Sequence, residues 1–277
     1  MGKILTSHDG FKWYVEIPDD SLPLNDGEYC LRKFLINVSS KDKIFVDVGA
    51  HVGEYSVRMS KYYKHVYAIE PNPRSVMILK KNLELNNVTN VTIIPKACGD
   101  KQGILQLKLR GGSSTFLDVD QHEGVVNVFV DLLDNMIDYA DVIKIDVEGF
   151  EENVIRGALK LIKKCKPIIV IEHHEFRGYN IHGSKERIRK LLNDYIALNL
   201  NGVHWAYIPK NQDLKQYKEF IAWHIFNKCI DNLIKRNCWY YGLPYTWWYG
   251  AGILDFFLAL KNHLFKKGEE KWLELLD

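Results

Sequence analysis

Between about residues 41 and 210 the chain alternates short Val- and Ile-rich runs with segments of helical apolar spacing, and that alternation leaves few folds open. The runs are Ile44–Val48, His65–Ile69, Val91–Pro95, Val142–Ile145 and Ile168–Ile171. They show little polar alternation, as strands buried on both faces of a parallel sheet require. Asn72 and Pro73 suit an N-cap and first helical position ahead of Val76, Leu79 and Leu83. Val154, Ile155, Ala158, Leu161 and Ile162 mark one apolar helical face, which Lys166-Pro167 ends. Strands alternating with helices predict right-handed βαβ units in a doubly wound, mostly parallel α/β sheet. Tyr195–Leu200 and Val203–Ile208 flank Asn201-Gly202, which predicts a closing antiparallel hairpin with a two-residue turn.

This reading divides the chain into a cap at 1–40, a main domain at 41–210 and a C-terminal appendage at 211–277. The cap carries an expected strand at Phe11–Ile17 and a helix at Glu28–Ile36, placed to cover a pocket at the sheet edge. The appendage reads as helical and aromatic, with Trp239, Tyr240, Tyr241, Tyr245, Trp247, Trp248 and Tyr249 ahead of an apolar helical face. Interrupted by Asp255, it is too short to span a bilayer. Packing on the main domain or in a homo-oligomer is its first reading. Stacking on an acceptor comes second, and peripheral membrane contact through 239–267 third.

The formal net charge of +2, with no clustered basic excess, leads us to expect no nucleic-acid partner. Five widely spaced cysteines form no C-x-x-C, so neither a disulfide framework nor a zinc site is expected. The N-terminal residues lack a continuous apolar stretch, which makes the cytoplasm the expected location.

The first run leads into Val46-Asp47-Val48-Gly49-Ala50-His51-Val52-Gly53-Glu54-Tyr55-Ser56. A glycine turn from strand to helix lets backbone approach a ligand, and the helix start offers free N–H groups. The spacing is G-x-x-x-G, not the G-x-G-x-x-G of pyrophosphate binding, which weakens a nicotinamide-dependent oxidoreductase. S-adenosylmethionine carries no phosphate and tolerates that loss. Asp47 is placed to bind the cofactor's ammonium or the turn itself. Glu70 ends the second run 21 residues after Gly49, where an acid reaches both ribose hydroxyls.

The segments VDVGAHVGEYS, AIEPNP, ACGD, IKIDVEGFEENVIRGA and KPIIVIE resemble the FkbM-type methyltransferases in order and spacing. The resemblance implies a Rossmann-like class I fold, S-adenosyl-L-methionine as methyl donor, and O-methylation of a sugar/glycan or other small-molecule acceptor. It places Gly49, Ala50, His51 and Gly53 around the methionine part, with Tyr55 and Ser56 following. Glu70 faces the ribose, and Pro71, Asn72 and the Lys96–Cys98 stretch, Ala97 included, lie near adenine. The family usually has Asn where this chain has His51.

For an alcohol acceptor, the enzyme must align the hydroxyl and remove its proton. Asp146 and Glu148, at the end of the fourth run, would share one side of an extended chain. They are candidates for base, for acceptor orientation or, through oxygen, for a divalent cation, which is allowed but not expected. Glu172-His173-His174-Glu175 ends the fifth run, and His173 or His174 is a further candidate base. Gly111–Thr115 with His122 reads as a lid over the acceptor or a hairpin tip. RNA or protein methylation on the same fold is the alternative function. A binding module without turnover ranks below it.

Overall fold

A computed structural model describes residues 2–24, 28–109, 114–117, 123–174 and 182–225. The chain opens with a hairpin of β1 (Lys3–Thr6) and β2 (Lys12–Val15), then helix α1 (Tyr29–Asn37). Next come β3 (Ile44–Val48), α2 (Glu54–Met59), β4 (His65–Ile69), α3 (Pro73–Leu85) and β5 (Val91–Ile94), with the three strands parallel. A separate layer follows, made of β6 (Ala97–Cys98), β7 (Gly103–Leu109) and β8 (Gly124–Asp131). Helix α4 (Leu133–Met136), β9 (Val142–Ile145), α5 (Glu151–Arg156), α6 (Leu159–Cys165) and β10 (Ile168–Glu172) continue the main sheet. Helix α7 (Ser184–Leu191) leads to β11 (Tyr195–Asn199) and β12 (His204–Pro209), and 218–225 are helical again.

The main sheet runs β11-β12-β10-β9-β3-β4-β5, with β12 antiparallel to both its neighbours. The chain winds outward from β3 in one direction and returns through β9 in the other. A crevice opens where the winding reverses, at the carboxyl ends of β3 and β9. Strands β9 and β10 are buried along their whole length, as their unbroken apolar runs require. Phe45, Val66, Val142 and Val170 pack one face against α1 and against Tyr217, Phe220 and Ile221. Val46, Val48, Ile143 and Ile171 pack the other against Val154, Ile155 and Leu161. Residues from both ends of the described chain thus share one core with the sheet. Among the described residues, no helix is long and apolar enough to cross a membrane. The aromatic stretch at 239–249, and with it the reading of 239–267, lies outside the described residues.

Three local expectations are corrected. The hairpin turn is longer than two residues: Leu200 N–H still reaches His204 O, so Asn201, Gly202 and Val203 form the connection. The asparagines shape it, since Asn199 Oδ1 accepts Gly202 N–H and Asn201 Oδ1 accepts His204 N–H. The single apolar helix after the fourth run is two, broken between Arg156 and Leu159. Gly157 lies so close to Gly99 that a Cβ on it would stand 1.9 Å from Gly99 O. The β6-β8-β7 layer has no counterpart in the sequence reading, because its exposed residues Ile104, Leu105, Val125 and Phe129 obscure any in-out alternation.

The N-terminal residues are pinned over the crevice by buried polar contacts. Arg74, two residues into α3, holds both carboxylate oxygens of buried Asp20 at 2.9 and 2.7 Å. Asn72 caps the same helix by accepting Arg74 N–H. Asn82 accepts Tyr14 N–H and donates to Val52 O, tying β2 to the loop before α2. Arg74→Ala is expected to cost about 2 kcal/mol, because a bidentate ion pair is lost and a buried carboxylate keeps only backbone partners. Thermal unfolding of Arg74→Ala beside Arg74→Lys checks this, and equal stability of the alanine variant and the parent would show that Asp20 does not need the guanidinium.

Candidate active site

The glycine turn is built by close approach. Gly49 has φ +82°, and a Cβ there would stand 1.8 Å from Asp146 O, so only glycine lets β3 end against the loop after β9. Gly53, at φ +92°, caps α2 with its Cα against Leu79 of α3. Between them His51 also adopts a left-handed conformation, φ +49°. Asparagine and histidine both enter that region more readily than most residues, so the exchange from the family's usual Asn keeps the backbone path. The turn's N–H groups are spent internally, contrary to the expectation of free donors. Gly49 and Ala50 donate to Ile69 O, and Gly53 to Ala50 O.

Glu70 closes this arrangement. Its Oε2 accepts His51 N–H and its Oε1 accepts Asn72 N–H, each at 2.8 Å. Burial pushes its carboxyl up to about 7 against the pull of those two N–H groups. Each oxygen keeps acceptor capacity toward a cavity of about 400 Å³, within the roughly 300–1,000 Å³ range of small-molecule sites. Gly49, Ala50, His51, Tyr55, Glu70, Pro71 and Asn72 line that cavity, as do Ala97, Asp146 and Glu148. Leu22, Pro23 and Glu28 reach it from the N-terminal cap, and Ser114 and Phe116 from the β7–β8 connection. The remaining positions 111–113 and 122, like Glu175, lie outside the described residues.

Four expected site residues, Asp47, Gly53, Ser56 and His173, do not line the cavity. Asp47 is fully buried beneath the turn, where it accepts from Ser56 Oγ at 2.6 Å and lies 3.7 Å from Lys144 Nζ. Burial raises its carboxyl, outweighing Lys144 and Ser56. Gly53 and Ser56 accordingly act on the turn from behind. His173 also faces away: its Nε2 meets Tyr207 Oη at 3.0 Å, and burial drops the imidazole to about 3.

His174 meets the acids instead. Its Nδ1 is 2.7 Å from Glu151 Oε1, and its Nε2 is 3.7 Å from Asp146, 3.5 Å from Glu148 and 3.5 Å from Glu172. Burial opposes its charge, yet the Glu151 bond and these carboxylates raise it to about 9. Lys144 Nζ lies 3.2 Å from Asp146 Oδ2. Despite burial, Lys144 and then His174 hold the Asp146 carboxyl well below the usual range. Asp146 and Glu148 converge through the turn after β9, not by strand alternation, since Glu148 has φ +51° and Gly149 φ +98°. Thr115 Oγ1 donates to Glu148 O and fixes that turn.

Sequence reasoning missed Lys144, Glu28 and His204. Lys144 had a usable signal: a lysine inside an apolar, fully buried strand requires a carboxylate partner. Glu28 and His204 come from distant segments and had none.

The cavity fits S-adenosylmethionine by the chemistry of its donors. Glu70, a carboxylate with spare acceptor capacity, and a cluster of further carboxylates, Glu28, Asp146, Glu148 and Glu172, line it. Among the described residues the lining has no arginine, and its two lysines are paired with carboxylates, Lys96 with Asp131 and Lys144 with Asp146, which disfavours a diphosphate.

Comparison with known proteins agrees. The Methyltransferase FkbM domain matches residues 47–197. "Methyltransferase 1" of Beauveria bassiana (strain ARSEF 2860) is 24% identical over 145 residues, 42% of this chain and 58% of that one. The tRNA(Phe) (4-demethylwyosine(37)-C(7)) aminocarboxypropyltransferase of Methanocaldococcus jannaschii is 37% identical over 62 residues, 22% of this chain and 25% of that one. The chain thus spans little more than half of one curated relative and a quarter of the other. The crystal structure of methyltransferase FkbM from Methylobacillus flagellatus KT is similar at a TM-score of 0.45 and 20% identity, covering 61% of this chain and 44% of that one. That of an rRNA methylase from Streptococcus thermophilus is similar at a TM-score of 0.44 and 11% identity, covering 66% of this chain and 95% of that one. Since one of these curated relatives is a tRNA-modifying protein, the expectation of no nucleic-acid partner is withdrawn. A near-neutral net charge removed one reason to propose RNA and supplied none to exclude it. With a domain match over more than half its length, this chain belongs to the FkbM methyltransferase family.

Proposed function

We propose that the chain transfers a methyl group from S-adenosylmethionine to a hydroxyl of a small-molecule or glycan acceptor. The observation that carries this reading is one cavity lined both by Glu70 and by Asp146, Glu148 and Glu172. When bound, S-adenosylmethionine supplies a methyl group on a sulfonium, already activated for in-line displacement. What remains for the protein is to exclude water, aim the acceptor and take one proton. Glu148 accepts that proton from the hydroxyl. Asp146, held ionised by Lys144, orients the acceptor and does not compete for the proton. His174, clamped by Glu151, stands behind Glu148 and fixes its carboxylate.

A second reading takes the acceptor from RNA, favoured by the 62-residue match to a tRNA-modifying protein. Labelled methyl donor, offered with hydroxylated glycans and metabolites in one arm and with total RNA in the other, separates the two. Label in base-stable ethers of the first arm supports the main reading; label in RNA alone replaces it with the second. In either arm, Glu148→Gln is expected to lower transfer about 100-fold, the ordinary worth of a positioned base, while the donor Kd stays within about twofold. Full transfer by that variant would remove Glu148 from the mechanism.

A further inference from the structure

His204 is 2% exposed and points its ring into a group of acids. Its tautomer is fixed by the hairpin turn. Asn201 Oδ1 accepts His204 N–H at 3.0 Å and lies 3.0 Å from His204 Nδ1. A carbonyl oxygen cannot donate, so Nδ1 carries the hydrogen. Nε2 lies 3.2 Å from Glu172 Oε2 and 3.8 Å from Glu28 Oε1 with no well-formed hydrogen bond to either, and in the neutral ring it presents a lone pair to both. A lone pair facing two carboxylates is repulsive until a proton or a metal cation sits between them, so the two compete for this position.

We propose that Glu28, Glu172 and His204 bind a divalent transition-metal ion beside the cavity. Metal–ligand bonds of about 2.0–2.2 Å place neighbouring ligand atoms roughly 3–4 Å apart, the spacing found from His204 to both acids. Mixed imidazole and carboxylate ligation suits Mn²⁺ or Zn²⁺ and disfavours the all-oxygen preference of Mg²⁺ and Ca²⁺. The supporting contacts of a metal site are also present. Asn201 orients the imidazole from its far nitrogen, and Tyr55 Oη donates to the second oxygen of Glu28. Glu172 Oε1 turns toward His174 Nε2, so this carboxylate joins the metal site to the acids beside Glu148. Glu28 and Glu172 both line the cavity, which leaves a coordination position open on that side. If the hydroxyl acceptor proposed above is right, its oxygen takes that position, where the cation makes it more acidic.

The test uses the full chain, stripped with chelator and titrated with Mn²⁺ by calorimetry and by the loss of the free-ion EPR signal. One equivalent is expected to bind, with Kd raised at least tenfold by His204→Ala and by Glu172→Gln. Asn201→Ala, which keeps the ligands and removes the outer contact, is expected to weaken binding about tenfold. His173→Ala, which faces away, leaves Kd unchanged. No Mn²⁺ binding to the parent, or the parent's affinity in both His204→Ala and Asn201→Ala, overturns the site. Thermal unfolding of each variant shows whether it folds; should His204→Ala fail, Asn201→Ala decides. Titration of the same stripped protein with S-adenosylmethionine separates the proposals. Donor binding without Mn²⁺ binding ends this inference alone, whereas Mn²⁺ binding without donor binding ends the methyltransferase reading alone.

Discussion

Glu70→Ala is expected to weaken S-adenosylmethionine binding about 100-fold. Two hydroxyl hydrogen bonds to a charged acceptor contribute about 1.5 kcal/mol each, and 1.4 kcal/mol is a factor of ten. The substitution also frees His51 N–H and Asn72 N–H, so the turn loses its tie to the end of β4. Calorimetry measures the effect, and an unchanged Kd would exclude Glu70 from the donor site. The pH dependence is a second signature. In the empty protein Glu70 is protonated below about 7, and a carboxylate is the better acceptor for two hydroxyls. The parent's Kd is expected to rise toward about tenfold per unit as the pH falls below 7, a dependence absent from Glu70→Ala. Stability runs the opposite way. A carboxyl raised in the fold above its ordinary 4.5 contributes stability that is full below 4.5 and lost as the pH rises through about 7. Glu70→Ala should therefore destabilise less at pH 8 than at pH 5.

Gly49→Ala is expected to have the largest effect on stability, about 4 kcal/mol, because a left-handed residue acquires a Cβ inside a backbone oxygen. Only main-chain movement relieves a 1.8 Å approach to Asp146 O. In a domain of this size that corresponds to a fall of roughly 10 °C in the unfolding midpoint. Gly10→Ala is the matched comparison. Gly10 has φ +85°, and a Cβ added there meets nothing within 4 Å, so it isolates the backbone cost at about 1 kcal/mol. Equal losses in the two variants would show that the Gly49 contact carries no energy.

The fold was readable where burial leaves a pattern. Strands β3, β4, β9 and β10 and the Asn72-Pro73 start of α3 follow directly from apolar runs and capping chemistry. The β6-β8-β7 layer was not, because strands that leave large apolar side chains in solvent lack the signature by which strands are recognised. At the site, Gly49 and Glu70 were legible because turn chemistry and strand ends are local. The choice between His173 and His174 was not. It depends on where β10 stops, since the strand ends at Glu172 and the chain beyond turns His174 toward Glu151 and His173 toward Tyr207. Asp47 shows the opposite limit: the right residue type beside the turn, but with its oxygens directed at Ser56 and Lys144 below it.

The contact between Gly49 and Asp146 has a consequence for redesign. The loop that receives the donor and the loop that presents acceptor-side acids touch through main chain, so they form one mechanical part. Ser114 and Phe116, which also line the cavity, can be varied to recruit a different acceptor without disturbing the main chain at 146–148. An insertion or deletion there would shift a carbonyl that the glycine turn rests against, and a change of acceptor made that way would be lost together with the donor.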